Sequence, residues 1–142
     1  YFDAKVRAIR SKFKAELVTT DKTIALINEN ESNGIMSLYG LASDQSPQVH
    51  KTFHWQKFMG IEVPVHTGAE MLAKKYDLEV VFAKVKKVKR GYYEATFVPI
   101  SDSPKAIPDY EITDAYLKVV EQQILEAPEY YFWTHKRWKH RR

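Results

Sequence analysis

The feature that most constrains this chain is Ile35 to Ala42, an almost unbroken apolar run that stops abruptly at Ser43-Asp44-Gln45-Ser46-Pro47. A run of that length and composition suits a strand buried on both faces of a sheet, which requires covering helices and so implies an α/β chain. The sequence around it agrees. Phe2, Val6, Ile9 and Phe13 are spaced by three and four, which predicts an amphipathic helix over Tyr1 to Lys14. A short strand is expected at Ala15 to Val18. Asp21 is placed to cap a second helix carrying Ile24, Leu26 and Ile27, and Asn33-Gly34 ends it.

After the Asp44 loop, Lys51 to Phe58 reads as an extended segment closed by Met59-Gly60. Ala69 to Tyr76 has helix-forming composition and follows Thr67-Gly68, and Asp77 breaks it. Glu79 to Val88 and Tyr92 to Ile100 are two β-rich runs joined by Lys89-Arg90-Gly91, a hairpin signal because glycine tolerates positive φ. Ile112, Ala115, Tyr116, Val119 and Val120 predict a helix from Asp109 to about Ala127, stopped by Pro128. The expected fold is α/β: a mixed sheet flanked by helices, ending in an antiparallel hairpin, a helix and a basic aromatic tail, in one domain over 1–142.

Composition narrows the chemistry. With no cysteine among 142 residues, disulfides, thiolate metal sites and a cysteine nucleophile are excluded. The glycines never fall at the spacing of a dinucleotide or P-loop fingerprint. His50 and His54 are four apart, but Thr52, Phe53 and Trp55 favour extended backbone over a metal-binding helix, so no metal site is expected. No stretch approaches the roughly 20 apolar residues that span a bilayer. The 22 basic and 18 acidic residues give a net charge of +4. The excess is clustered: Lys84 to Arg90 holds five basic residues in seven, and Lys136, Arg137, Lys139, Arg141 and Arg142 crowd the end. Such clustering suits an anionic surface or a solvated face.

Asp44 and Gln45 follow an apolar run directly, and the carboxyl ends of strands are where open α/β sheets bind ligands. Asp44 is suited to orienting a ligand, to bonding loop amides, or simply to the turn before Ser-Pro. His66-Thr67-Gly68 sits at a helix start, where Thr67 is able to cap and free amides are able to receive an anion. Arg7 and Arg10, three apart on a helix, are either solvated or a guanidinium pair for a phosphate. A histidine-based proton acceptor needs an acid that fixes its tautomer. The residues five places after His50, His54, His66 and His135 are Trp55, Met59, Met71 and His140, so no His-x4-Asp arrangement is present.

The tail Glu126-Ala127-Pro128-Glu129-Tyr130-Tyr131-Phe132-Trp133-Thr134-His135-Lys136-Arg137-Trp138-Lys139 resembles the end of the bacterial lipid A late acyltransferases. Leu41 to Pro47 is similar to that family's Asp-Gln loop, Phe58-Met59-Gly60 to its Phe-x-Gly turn, and Val65 to Gly68 with Ala73 to its Thr-Gly helix start. Tyr1 to Arg10 resembles its arginine-bearing helix. Ile61-Glu62-Val63-Pro64 departs from the small residues usual after the turn.

The resemblance implies the C-terminal portion of an acyltransferase that moves a fatty acyl chain from acyl carrier protein to a hydroxyl of a lipid A precursor or related lipid. The reaction is expected on the cytoplasmic face of the bacterial inner membrane, with an anchoring helix and the His-x4-Asp motif upstream of Tyr1. The segment alone is then expected to be inactive, and to dimerise or aggregate. Residue by residue, Arg7 and Arg10 contact phosphate of the donor or acceptor, Asp44 and Gln45 shape the acceptor pocket, Thr67-Gly68 offers amides, and His66 joins them in binding substrate. Trp133, His135, Lys136, Arg137, Trp138 and Lys139 support the fold and face anionic head groups. No catalytic residue, cofactor, metal or nucleic acid is implied. The reading that needs no enzyme is a basic module binding anionic lipid or nucleic acid through the hairpin and tail.

Overall fold

The computed structural model describes residues 2–142 and divides into two compact units, Tyr1–Tyr39 and Gly40–Arg142. The fold is mixed α/β, with four α-helices and two separate antiparallel two-stranded sheets among the described residues.

In the first unit, helix α1 spans Phe2–Arg10; the expected start at Tyr1 lies outside the described residues. Turns follow to Lys14, whose φ of 64° ends the helical path earlier than the apolar spacing through Phe13 predicts. Helix α2 spans Thr23–Ser32. Asp21 does not cap it. Lys22 occupies the cap position in helical conformation, and the amides of Lys22 and Thr23 both donate to the Thr19 carbonyl, at 2.9 and 3.1 Å, which removes the need for a side-chain acceptor. Asn33-Gly34 does end the helix: Gly34 has φ 64°, its amide donates to Glu31 and the Ile35 amide reaches back to Asn30 at 2.9 Å. This is the paired closure that a left-handed residue permits.

Neither Ala15 to Val18 nor Ile35 to Ala42 is a strand. A strand needs a neighbour to receive its amides and carbonyls, and among the described residues neither segment has one. Met36 is 100% exposed and Leu38 76%. The apolar run therefore records a demand for cover, not a partner.

The second unit is built around helix α4, Glu111–Glu126. Strands β1, His54–Phe58, and β2, Ile61–Val65, pair antiparallel from His54 opposite Val65 to Phe58 opposite Ile61. Their two-residue turn has Met59 at φ 52° and Gly60 at φ 78°, the doubly left-handed turn whose twist matches a hairpin. Helix α3, Gly68–Tyr76, ends at Asp77 with φ 60°. The longer hairpin is β3, Val80–Lys89, with β4, Tyr92–Ser101, turning at Arg90-Gly91.

Leu117, Val120 and Ile124 recur every three or four residues along α4 and meet Phe58, Val63 and Val65 in the core. Phe82 of β3, Tyr116, Tyr131 and Trp138 pack against that cluster. At the start of α4 the buried Glu70 of α3 takes over the capping role. Its carboxylate accepts from the Tyr110 amide at 2.6 Å and from the Thr113 amide and hydroxyl at 2.9 and 2.7 Å. Lys74 lies 3.1 Å away. Burial pushes the Glu70 carboxyl up, but hydrogen bonds from Thr113, Lys74 and the Tyr110 amide outweigh it and hold the group below its ordinary value.

Candidate functional site

A half-open pocket of about 290 Å³ lies between β3, α4 and the turn after α4. Phe82, Ala83 and Val85 form one wall, Tyr116, Val120 and Ile124 a second, and Tyr130 to Phe132 a third. Asp44 is the carboxylate among the lining residues. The volume is close to the roughly 300 Å³ at which small-molecule pockets begin, and the lining is mixed, with Gln123, Asp44 and three tyrosines beside the aliphatic side chains.

Around Asp44 the electrostatics join groups from four parts of the second unit. Burial, then the Asp44 charge, pushes the Tyr116 phenol up to about 12. Burial, with Asp44 adding to it, raises Tyr131 as well. Both phenols therefore stay protonated across the physiological range and act as neutral hydroxyls. Burial pulls His66 below its ordinary value, Arg137 pulls the same way, and Asp44 opposes; a neutral imidazole follows at neutral pH. Arg137 is itself lowered by burial, with Tyr131, Asp44 and Tyr116 opposing.

The tail determines where these groups stand. Trp138 stacks on Phe58 with centroids 5.8 Å apart and on Trp133 at 6.2 Å, while Tyr131 meets Trp133 edge-on at 5.0 Å. The Trp133 indole donates to the Pro128 carbonyl at 2.6 Å and the Trp138 indole to the Phe58 carbonyl at 3.3 Å. Both indoles are thus satisfied within the fold, as half-buried tryptophans require. Lys136 and Lys139 are exposed. Arg137, expected with them to face head groups, is 0% exposed and donates to the Pro64 carbonyl at 3.0 Å.

The structure brings Asp44 and His66 into one electrostatic cluster with Arg137. Gln45 is exposed. Thr67 is buried, its backbone is helical and its hydroxyl makes no cap hydrogen bond, so Gly68 opens α3 without a side-chain cap. Arg7 and Arg10 belong to α1 in the other unit, both exposed, and Arg7 Nε donates to Asp3 at 2.9 Å.

Several participants were not visible from spacing. Tyr116 reads in sequence as an ordinary core position of α4, and Tyr131 as one member of an aromatic run. A second pair, His54 and Asp114, meets at 2.9 Å across 60 residues, with the imidazole stacked on Tyr110 at 4.5 Å. No local pattern predicts it; it ties β1 to α4. His50 lies on a short 3-10 turn and His54 on β1, and no group of three potential metal ligands gathers among the described residues. No helix among the described residues is long and apolar enough to cross a membrane.

No curated protein matches the chain. The family model described as bacterial lipid A biosynthesis acyltransferase matches residues 1–140, nearly the whole length. The chain therefore belongs to the bacterial lipid A biosynthesis acyltransferase family, and its function is of the acyltransferase type.

Proposed function

We propose that the protein moves a fatty acyl chain from acyl carrier protein to a hydroxyl of a lipid A precursor or a closely related lipid, at the cytoplasmic face of the bacterial inner membrane. The observation that carries this reading is the pocket lined by aliphatic and aromatic side chains together with Asp44, in a chain of this family. Such a cavity holds part of an acyl chain by burial, at about 0.8 kcal/mol per methylene. Asp44, Gln45 and the neutral His66 then shape the polar side on which the acceptor sugar lies. Thr67-Gly68 offers the amides of a helix start, and Arg7 and Arg10 offer guanidinium groups to a phosphate.

In the transfer, the acceptor hydroxyl attacks the thioester carbonyl, the proton of that hydroxyl passes to a base, and the carrier's thiolate leaves. The His-x4-Asp spacing that would supply the base is absent from these 142 residues. The exposed Lys136 and Lys139 face anionic head groups, each adding about 1 kcal/mol of attraction near the surface.

The test uses the full-length protein with acyl carrier protein loaded with chains of graded length and a lipid A precursor as acceptor. Ala83 lines the cavity, so Ala83→Phe should shift the preference towards shorter chains. Discrimination is expected at about 10-fold or more per methylene lost from the fit. No transfer by the native protein, or an unchanged length preference in A83F, overturns the reading.

A further inference from the structure

The last turns of the tail and the Asp44 loop are bound to each other more tightly than packing alone requires. Ser46, two residues beyond Asp44, is held at three points. Its amide donates to His135 Nε2 at 3.1 Å, its hydroxyl donates to the Arg137 carbonyl at 2.7 Å, and Arg137 Nη1 reaches the same hydroxyl oxygen at 3.5 Å. The first of these bonds fixes the imidazole tautomer, because an accepting Nε2 leaves the proton on Nδ1.

The Arg137 guanidinium lies over the Phe58 ring at 5.0 Å. Its Nε and Nη2 have no hydrogen-bond partner. A buried cation with unpaired donors is costly, and a nearby opposite charge is what offsets that cost. Asp44 is the carboxylate whose charge acts on Arg137. A loop tied by its Ser46 amide to His135 and by its Ser46 hydroxyl to Arg137 has little freedom to move the neighbouring Asp44 carboxylate.

We propose that His135 and Arg137 are positioning residues for acyl transfer: the tail clamps Ser46 at its amide and hydroxyl, and so fixes the Asp44 carboxylate in the lining of the pocket. The proposal rests on the reading above, in which that cavity and Asp44 meet the substrates. It gives the Trp-Thr-His-Lys-Arg stretch a task in the site, beyond closing the core.

The experiment compares three substitutions in the full-length protein. His135→Phe keeps an aromatic ring without an acceptor, His135→Gln offers an amide oxygen near the place of Nε2, and Asp44→Asn removes the charge that the clamp positions. In H135F, kcat/KM for the lipid acceptor should fall about tenfold, the size of one lost hydrogen bond, while KM for the acyl donor stays as in the native protein. H135Q should recover most of that loss. The D44N/H135F double variant should be no slower than D44N alone, because a clamp has nothing left to position. Independently of activity, hydrogen exchange of the Ser46 amide should quicken about tenfold in H135F, with the amides of α4 unchanged.

Losses that multiply in the double variant, or a Ser46 amide as protected in H135F as in the native protein, overturn the proposal. A native protein that transfers no acyl chain overturns the functional reading instead, and the exchange of Ser46 then decides on the clamp by itself.

Discussion

Glu70 provides the sharpest quantitative test of how this fold is held. Its carboxylate accepts three hydrogen bonds from the start of α4, from the Tyr110 amide and from the amide and hydroxyl of Thr113, and pairs with Lys74. Substituting Glu70→Gln keeps the size but replaces one accepting oxygen with an amino group that faces donors. At least one amide or hydroxyl of α4 then goes unsatisfied and the charge opposite Lys74 is lost. A hydrogen bond to a charged group contributes about 1.5–3 kcal/mol, so E70Q should cost about 2–3 kcal/mol. For a chain of this size each kcal/mol lowers the melting midpoint by roughly 3–5 °C, which gives a drop of about 6–15 °C.

The pH dependence has a definite sign. Because the Glu70 carboxyl lies below its ordinary value of 4.5 in the folded protein, its contribution is fully present above that value. It disappears as pH falls through the lower folded value, where the folded state must take up the proton. Thermal unfolding of native protein and E70Q, followed by far-ultraviolet circular dichroism from pH 7 down to pH 3, checks both points. Midpoints within 2 °C at pH 7, or a difference that persists undiminished at the acid end, would refute the argument that this carboxylate caps α4 as an anion.

Two further outcomes follow from the hairpin and the tail. Trp138→Ala removes the stack on Phe58 and the bond to its carbonyl, and should destabilise the second unit by about 2–4 kcal/mol in a denaturant titration; an unchanged midpoint would remove the tail from the core. Gly60 and Gly68 should respond with opposite sign in the same assay. Gly60 has φ 78°, so Gly60→Val should cost roughly 1–2 kcal/mol, whereas Gly68→Ala, at the start of α3 with nothing within 4 Å of the added carbon, should be neutral or stabilising by up to about 1 kcal/mol.

Legibility in this sequence depended on how far apart the deciding residues lie. The long hairpin could be read because its turn glycine and both apolar runs are contiguous. Helix α4 could be read because its apolar period and its stop at Pro128 are local as well. Ile35 to Ala42 misled for a physical reason: an apolar run reports the burial it needs, while a strand exists only if a second chain segment completes the ladder. Asp44 stood out through its place after that run. Arg137 did not, since an arginine inside a basic stretch reads as surface. Its burial is set by Pro64 and Ser46, 73 and 91 residues away in sequence. The capping of α4 by Glu70 was equally hidden, because the partners lie 40 and 43 residues apart and neither end carries a capping signature.

The tail that stacks on Phe58 also sets an order of events. Chains emerge from the ribosome N-terminus first, at about 5–20 residues per second, so β1, β2 and α4 are synthesised before Trp138 and Arg137 can cover Phe58. Until then the central aromatic ring of the second unit lacks its lid, and the Asp44 loop lacks the carbonyl and imidazole that hold Ser46. A product terminated between Pro128 and Arg137 would have every strand and α-helix of the unit and still present an unfinished core to the cell's proteases. Synthesis of Trp138 is, for this unit, the step that covers Phe58 and closes the core.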